Sequence, residues 1–170
     1  MTKKVIAIFF VIVIVTLSII MINRYSQHIL VWQANKKINV DGIKLMMAEN
    51  EAKRIIGEEE AYIPGFGGYK LEYPSKGIFL TFLNDRDTDF YSKVNIIEVI
   101  DSEYEVFGVK VGDEFDKAVE ILYNQGFTQG KDGYPGYWRA NLYIVLHKNQ
   151  NKVQKITVGV RDRVASSRVY

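Results

Sequence analysis

The chain has no cysteine, only two histidines and only three prolines in 170 residues. Without cysteine it can form no disulfide and has no thiol nucleophile. His28 and His147 alone cannot complete a zinc site of the usual Cys/His type. The motifs of serine hydrolases and zinc proteases are also missing. These absences argue against catalysis, and we expect a non-enzymatic protein with no metal and no cofactor.

Long runs of like charge are missing as well. Three of the 22 Lys and Arg residues, Lys3, Lys4 and Arg24, lie in residues 1–24, which leaves 19 against 20 Asp and Glu residues. A nearly neutral remainder without a basic stretch gives no electrostatic reason to bind nucleic acid. We therefore expect no nucleic-acid partner.

One long apolar run is present, at residues 5–22, interrupted only by Thr16 and Ser18. As a helix it is about 27 Å long, close to the roughly 30 Å of a bilayer core. It predicts a transmembrane signal-anchor in residues 1–24. Lys3 and Lys4 favour a cytoplasmic N-terminus, a C-terminal domain outside, and thus a single-pass protein of the cell membrane. A cleaved signal peptide is the alternative, although residues 18–24 contain no small-x-small cleavage pattern.

Residues 25–40 form a predicted juxtamembrane linker. In one interpretation the helix continues out of the membrane and packs on the following domain. In the other, an apolar strip places Trp32 among the lipid headgroups.

The next part of the sequence is repeated. Gly42, Lys44, Ala52 and Ile55 recur at the same spacing as Gly108, Lys110, Ala118 and Ile121. The repetition predicts a first repeat at residues 41–101, a second at 102–160 and a tail at 161–170. Ala52 and Ala118 occupy the same position in the two copies, so both are expected to face a sheet.

Each copy contains one helical and three strand-like segments. The first helix is expected to begin at Glu49 or Asn50 and to end at Gly57; the second is expected to have Asp113 as its N-cap and to end before Gly126. Predicted strands cover residues 69–73, 77–83 and 93–100, then 137–140, 142–147 and 152–160. The predicted fold class is α+β: a transmembrane helix followed by two tandem repeats, each a short helical segment packed on an antiparallel sheet of three or more strands.

Each copy opens with Gly-hydrophobic-Lys-hydrophobic, continues into a short helix, and ends in three strands. This order resembles the SmpA/OmlA (outer-membrane assembly lipoprotein) module, and two modules in tandem are similar to the β-lactamase inhibitory protein fold. The resemblance covers residues 38–160. Gly108, Gly112 and Asp113 keep the usual family opening, whereas Met46 replaces the second glycine in the first copy. Relatives include assembly factors and inhibitors, so the resemblance implies a fold more than an activity.

Two acidic segments have alternative interpretations. Asp85, Asp87 and Asp89 begin like a calcium-binding loop, but Phe90 and Ile96 stand where glycine and glutamate are needed. A solvated acidic loop is favoured. The acidic residues 58–60 are interpreted as a charged helix end.

A Pro-Gly segment with aromatic neighbours follows each helix. Pro64-Gly65 and Pro135-Gly136 predict two tight type II turns, which could approach each other. Aromatic side chains at such corners are either core residues or recognition residues. We favour partner binding for Tyr62, Phe66 and Tyr134, and core packing for Tyr69, Tyr137 and Trp138.

Together these features predict a membrane-anchored, extracytoplasmic protein-interaction module of the cell envelope that binds a protein partner. Two alternatives remain open. One is an envelope enzyme acting on wall polymer or lipid, and the other is a sensor of a small extracellular ligand.

Overall fold

A computed structural model describes the backbone of residues 3–131 and 136–162 and the side chains of residues 10–18, 28–131 and 136–162. The fold is mixed α/β, with one large and one small antiparallel sheet. The helices are α1 (Lys3–Asn35), α2 (Glu49–Ile56), α3 (Phe115–Asn124) and a short 3-10 helix (Pro74–Lys76).

The large sheet has eight strands in the order β2-β3-β4-β5-β11-β10-β9-β8, and the small one has the order β1-β6-β7. The large sheet contains β2 (Ala61–Gly65), β3 (Gly68–Tyr73), β4 (Ile78–Leu83), β5 (Val94–Val99), β8 (Thr128–Gln129), β9 (Tyr137–Arg139), β10 (Leu142–Asn149) and β11 (Lys152–Val160). The small sheet contains β1 (Ile38–Asn39), β6 (Glu105–Val106) and β7 (Val109–Lys110).

The prediction of two repeats that each carry their own sheet is wrong. β5 pairs with β11, with Val99 opposite Ile156 and Ile97 opposite Val158, so all the long strands belong to one sheet. A sheet that ended at β5 or β11 would expose the unpaired backbone of an apolar strand. Pairing the two strands removes both edges, and this favours one continuous sheet over two separate ones.

The N-terminal prediction is also wrong. Among the helices that the structure describes, none combines the length and the apolar character that crossing a membrane requires. This finding overturns the transmembrane signal-anchor in residues 1–24 and the single-pass location derived from it. The apolar run belongs to α1, which continues to Asn35 and contributes Val31 and Ala34 to the domain core.

The core lies on one face of the large sheet. On β4, Ile78, Leu80 and Phe82 alternate with residues that stay partly exposed, as expected for a strand with only one covered face. The buried side chains of α1, α2 and α3 belong to the same apolar cluster as these strand residues. We call this side of the sheet the covered face and the opposite side the uncovered face.

The helix signals were partly correct. Ala52 and Ala118 are both fully buried, as their matching positions predict. α2 ends at Gly57, whose φ of 93° suits glycine. The predicted N-cap of α3 is wrong: Glu114 occupies that position, and the Asp113 carboxylate instead accepts a hydrogen bond from the Lys110 backbone N–H at 2.8 Å.

Candidate functional site

The hairpin formed by β2 and β3 carries the most exposed aromatic side chain described outside α1. Phe66, at its tip, is 93% exposed, and Tyr62 and Ile63 on β2 are 54% and 47% exposed. The hairpin lies at one edge of the large sheet, because β2 is a terminal strand. Two of the predicted partner-binding residues, Tyr62 and Phe66, are therefore on the surface and close together in one hairpin.

The turn of this hairpin is not at Pro64-Gly65 as predicted. Gly65 pairs with Gly68, so the two loop residues are Phe66 and Gly67, and Gly67 has the positive φ of 77° that a type II turn needs. Pro64 instead lies inside β2. Proline is compatible with an edge strand, where its missing N–H faces away from the sheet.

Close packing holds the hairpin in place. A Cβ atom added at Gly68 would lie 2.5 Å from the Phe82 carbonyl oxygen, so β3 approaches β4 more closely than a larger residue allows. The Gly67 carbonyl oxygen also accepts a hydrogen bond from Asn84 N–H at 3.0 Å. The β3 side of the tip is thus tied to β4 at Gly67 and Gly68.

A ladder of stacked rings continues from the hairpin into the core. The Tyr62 and Tyr69 ring centroids are 5.4 Å apart, and those of Tyr69 and Phe82 are 5.2 Å apart. Stacked rings are an effective way to fix an aromatic surface. Tyr69 packs against the core, as predicted, and it supports the exposed Tyr62.

A cleft of about 400 Å³ opens beside Tyr69, lined by Glu49 and Lys53 of α2 and by Tyr91, Ser92 and Lys93 before β5. The Tyr69 hydroxyl donates a hydrogen bond to the Glu49 carboxylate. Burial, together with this bond, raises the pKa of Tyr69 to about 12. The hydrogen bond to Glu59, and to a smaller extent that to Glu58, raises the pKa of Lys53, so the Lys53 side chain stays positively charged.

The uncovered face carries an ion cluster at the centre of the sheet. The Glu98 carboxylate on β5 contacts the Lys70 ammonium at 2.8 Å and the Lys155 ammonium at 2.7 Å. Burial alone would raise the pKa of Glu98, but the hydrogen bonds from Lys155 and Lys70 outweigh it and hold that pKa below its usual value. Glu98 is therefore ionised at neutral pH.

Aromatic side chains lie beside this cluster. The Tyr143 ring covers Gly159, where an added Cβ would lie 2.5 Å from the ring. The centroids of the Trp138 and Tyr143 rings are 5.0 Å apart. Burial and the negative charge of Glu98 raise the pKa of Tyr143 to about 12. Trp138, predicted to be a core residue, lies instead on the uncovered face and is half-buried.

His147 lies at the end of the same face. Its ring nitrogen Nε2 is 3.4 Å from the Thr157 hydroxyl. Burial, followed by the nearby Lys155 charge, lowers the pKa of His147 below its usual value. The imidazole is therefore neutral at neutral pH and adds no charge to this face.

The third predicted partner-binding residue, Tyr134, lies outside the described residues. Its segment joins β8 to β9, at the edge of the sheet opposite to β2. Seven strand spacings separate the two edge strands, about 34 Å along the sheet.

The acidic segments form local structure. The Asp85 carboxylate accepts a hydrogen bond from Asp87 N–H at 3.0 Å, as in an Asx turn, and Asp89 lies 3.7 Å from His28 of α1. Glu58 and Glu59 both contact Lys53, at 3.2 and 2.7 Å. The carboxylates of Asp85, Asp87 and Asp89 thus belong to the loop between β4 and β5, and those of Glu58 and Glu59 lie just after α2.

Sequence comparison matches the chain to no family model and to no curated protein. Among solved structures, the fold is similar to part of an extracellular protein containing a SCP domain from Bacillus anthracis, with a TM-score of 0.50 and 9% identity over 68% of this chain. The chain spans only 44% of that protein's length. At this identity the likeness concerns the fold alone, and the resemblance to SmpA/OmlA modules stays a prediction.

Proposed function

We propose that the protein is a non-enzymatic protein-binding module that contacts its partner through the β2–β3 hairpin. The observation that carries the proposal is Phe66, a large apolar side chain 93% exposed at the tip of a firmly held turn. Aromatic side chains of this kind dominate the binding energy of many interfaces. Tyr62 and Ile63 of β2 add exposed apolar area on the two opposite faces of the same hairpin.

The rigidity of the hairpin favours binding. A surface that is already ordered loses little conformational entropy when a partner docks, so more of the contact energy appears as affinity. Gly68 and the Tyr62–Tyr69–Phe82 ladder provide this order in the unbound chain.

The edge of β2 favours recognition by side chains over strand pairing. The Ile100 N–H donates a hydrogen bond to the Gly77 carbonyl oxygen, which shows which residues of β4 direct their backbone groups toward β5. Following the pairing from β4 through β3 to β2, Tyr62 and Pro64 are the residues of β2 whose backbone groups point away from the sheet. Pro64 has no N–H to offer, and proline at an edge obstructs an added strand. The exposed side chains are then the principal recognition elements.

A photo-crosslinking amino acid placed at Phe66 tests the proposal in cells that produce the protein. We expect one protein to be captured from this position, and the same capture to fail from Tyr123, a 47% exposed aromatic on α3. The captured protein, once purified, should bind the unmodified chain and lose most of its affinity on Phe66→Ala. Equal capture from both positions, or full affinity of Phe66→Ala, would contradict the proposal.

The cleft beside Tyr69 favours a second candidate, a sensor of a small ligand. Its volume of about 400 Å³ is within the usual range for small-molecule sites, and Glu49, Lys53 and Ser92 supply polar groups. A library of small metabolites should then contain one that raises the melting temperature saturably. Glu49→Gln should abolish that increase, whereas Glu51→Gln, on the exposed side of α2, should leave it unchanged.

A further inference from the structure

The Lys70–Glu98–Lys155 cluster turns its positive groups outward. The Glu98 side chain is 13% exposed, whereas those of Lys70 and Lys155 are 33% and 32% exposed. Two ammonium groups share one carboxylate, so the cluster carries a net charge of +1. Each ammonium has three N–H donors, and the contact with Glu98 uses one of them. The exposed part of the cluster is thus a pair of lysines with donors to spare.

Glu98 holds the two lysines in place. Each carboxylate oxygen contacts one ammonium, so neither long side chain is free to swing away from the centre of the sheet. Fixed cations lose less entropy on binding an anion than mobile surface lysines do. This distinguishes the pair from ordinary exposed lysines.

The cluster is continuous with the hairpin. Lys70 pairs with Ile63, so both side chains lie on the uncovered face, and a partner that contacts Phe66 and Ile63 from that face also reaches the first lysine. Phe79 flanks the cluster, with its ring centroid 5.8 Å from the Lys70 ammonium, and Tyr143 is close enough for its pKa to respond to the Glu98 charge. Glu72, another acidic residue of this face, is separated from Glu98 by Phe79 in the same row of paired residues.

We propose that the protein bound by the hairpin places an aspartate or glutamate side chain on Lys70 and Lys155. The proposal rests on the proposed function, because it describes the same partner further along its interface. A carboxylate between two ammonium groups accepts charge-assisted hydrogen bonds, and the cluster's net charge of +1 balances the negative charge of the incoming carboxylate. The partner is thus expected to have an acidic residue near the apolar pocket that receives Phe66.

Two capped five-residue peptides test this on the purified chain, without the natural partner. One alternates tyrosine with glutamate, and the other has glutamine in place of glutamate. NMR titration at low ionic strength should show the glutamate peptide binding about tenfold more tightly or better, with the largest shifts at the amides of Lys70, Glu98 and Lys155.

The variant K70Q/E98Q/K155Q removes the whole cluster and leaves no buried charge without a partner. It should bind the two peptides equally. Lys110→Gln changes the net charge by the same amount at an exposed site on β7, and it should keep the preference for glutamate. A thermal melt of each variant confirms that the sheet remains folded.

The proposal is overturned if the chain does not bind the glutamate peptide, binds both peptides equally, or shows shifts centred elsewhere. A preference that survives in the triple variant also overturns it. None of these results affects crosslinking from Phe66. Failure of the carboxylate site is therefore distinguishable from failure of the protein-binding function.

Discussion

The two faces of the large sheet are built from neighbouring residues and yet have different chemistry. On the covered face Leu80 and Ile97 are fully buried beneath the helices. One residue away, on the uncovered face, Thr81 and Glu98 stay in contact with solvent. The difference shows that strand alternation alone makes the two faces, while the helices decide which of them becomes the core.

The largest effect on stability is expected from a charge buried between the covered face and its helices. Ala52→Arg or Ala118→Arg buries a cation without a partner, and we expect each to lower the free energy of unfolding by about 4 kcal/mol or more. Glu51→Arg and Glu120→Arg, at exposed positions of the same helices, are the controls and should change it little. Urea unfolding measures all four, and an unchanged midpoint for both alanine variants would contradict the assignment of the core.

Neighbouring truncations on β4 compare the faces directly. Leu80→Ala leaves a cavity under the helices and should cost about 3 kcal/mol. Thr81→Ala, on the uncovered face, should cost less than about 1 kcal/mol. Equal losses in chemical denaturation would mean that both faces are packed to the same degree.

A smaller effect is expected where the uncovered face is itself tightly packed. Gly159→Ala places a methyl group where the Tyr143 ring lies, and it should cost about 1–3 kcal/mol. In a Tyr143→Ala background the same change should cost almost nothing. A double-mutant cycle measures this coupling, and additive losses would show that the ring does not depend on the glycine.

The ion cluster makes part of the stability depend on pH. Glu98 holds its proton less tightly when folded, so its contribution is complete above the unfolded pKa of 4.5 and is lost as the pH falls through the lower folded pKa. Glu98→Gln should flatten the stability profile in this acidic range. If the profiles of the unmodified chain and of Glu98→Gln are parallel below pH 4.5, the lysines do not stabilise the carboxylate.

The smallest effect on folding is expected at the hairpin tip. Phe66→Ala removes an exposed side chain and should change the free energy of unfolding by less than about 0.5 kcal/mol. Tyr69→Ala, within the ring ladder, should cost several times more, as a thermal melt would show. A clear loss of stability in Phe66→Ala would identify Phe66 as a packing residue and would weaken its assignment to partner binding.

Some elements could be predicted because their signals are local. The strand predicted over residues 152–160 has the bounds of β11, and its clearest signal is the alternation of Ile156, Val158 and Val160 with less apolar residues. Gly57 ends α2 because its positive φ is a property of a single residue. β2 was missed for the same kind of reason: Pro64-Gly65 has the composition of a turn, and only pairing with β3 makes it a strand.

The candidate site was less predictable. Tyr62 and Phe66 were identified from their residue type beside a proline and a glycine. Nothing local pointed to the Glu98 cluster, because Lys70, Glu98 and Lys155 are far apart in sequence and meet only through the pairing of β3, β4, β5 and β11. Trp138 was assigned to the core because periodicity shows that a strand has two faces but not which face is covered.

The spacing of apolar residues and a few individual glycines were enough to predict the positions of α2, α3 and most long strands, and the burial of Ala52 and Ala118. Three features became visible only in the three-dimensional structure: the pairing of β5 with β11, the continuation of the first helix to Asn35, and the position of Ile63 on the same face as the lysine pair. Those features depend on contacts between residues distant in sequence. Such contacts are favourable because strand pairing satisfies the backbone groups of edge strands and packing buries the apolar faces of sheets and helices.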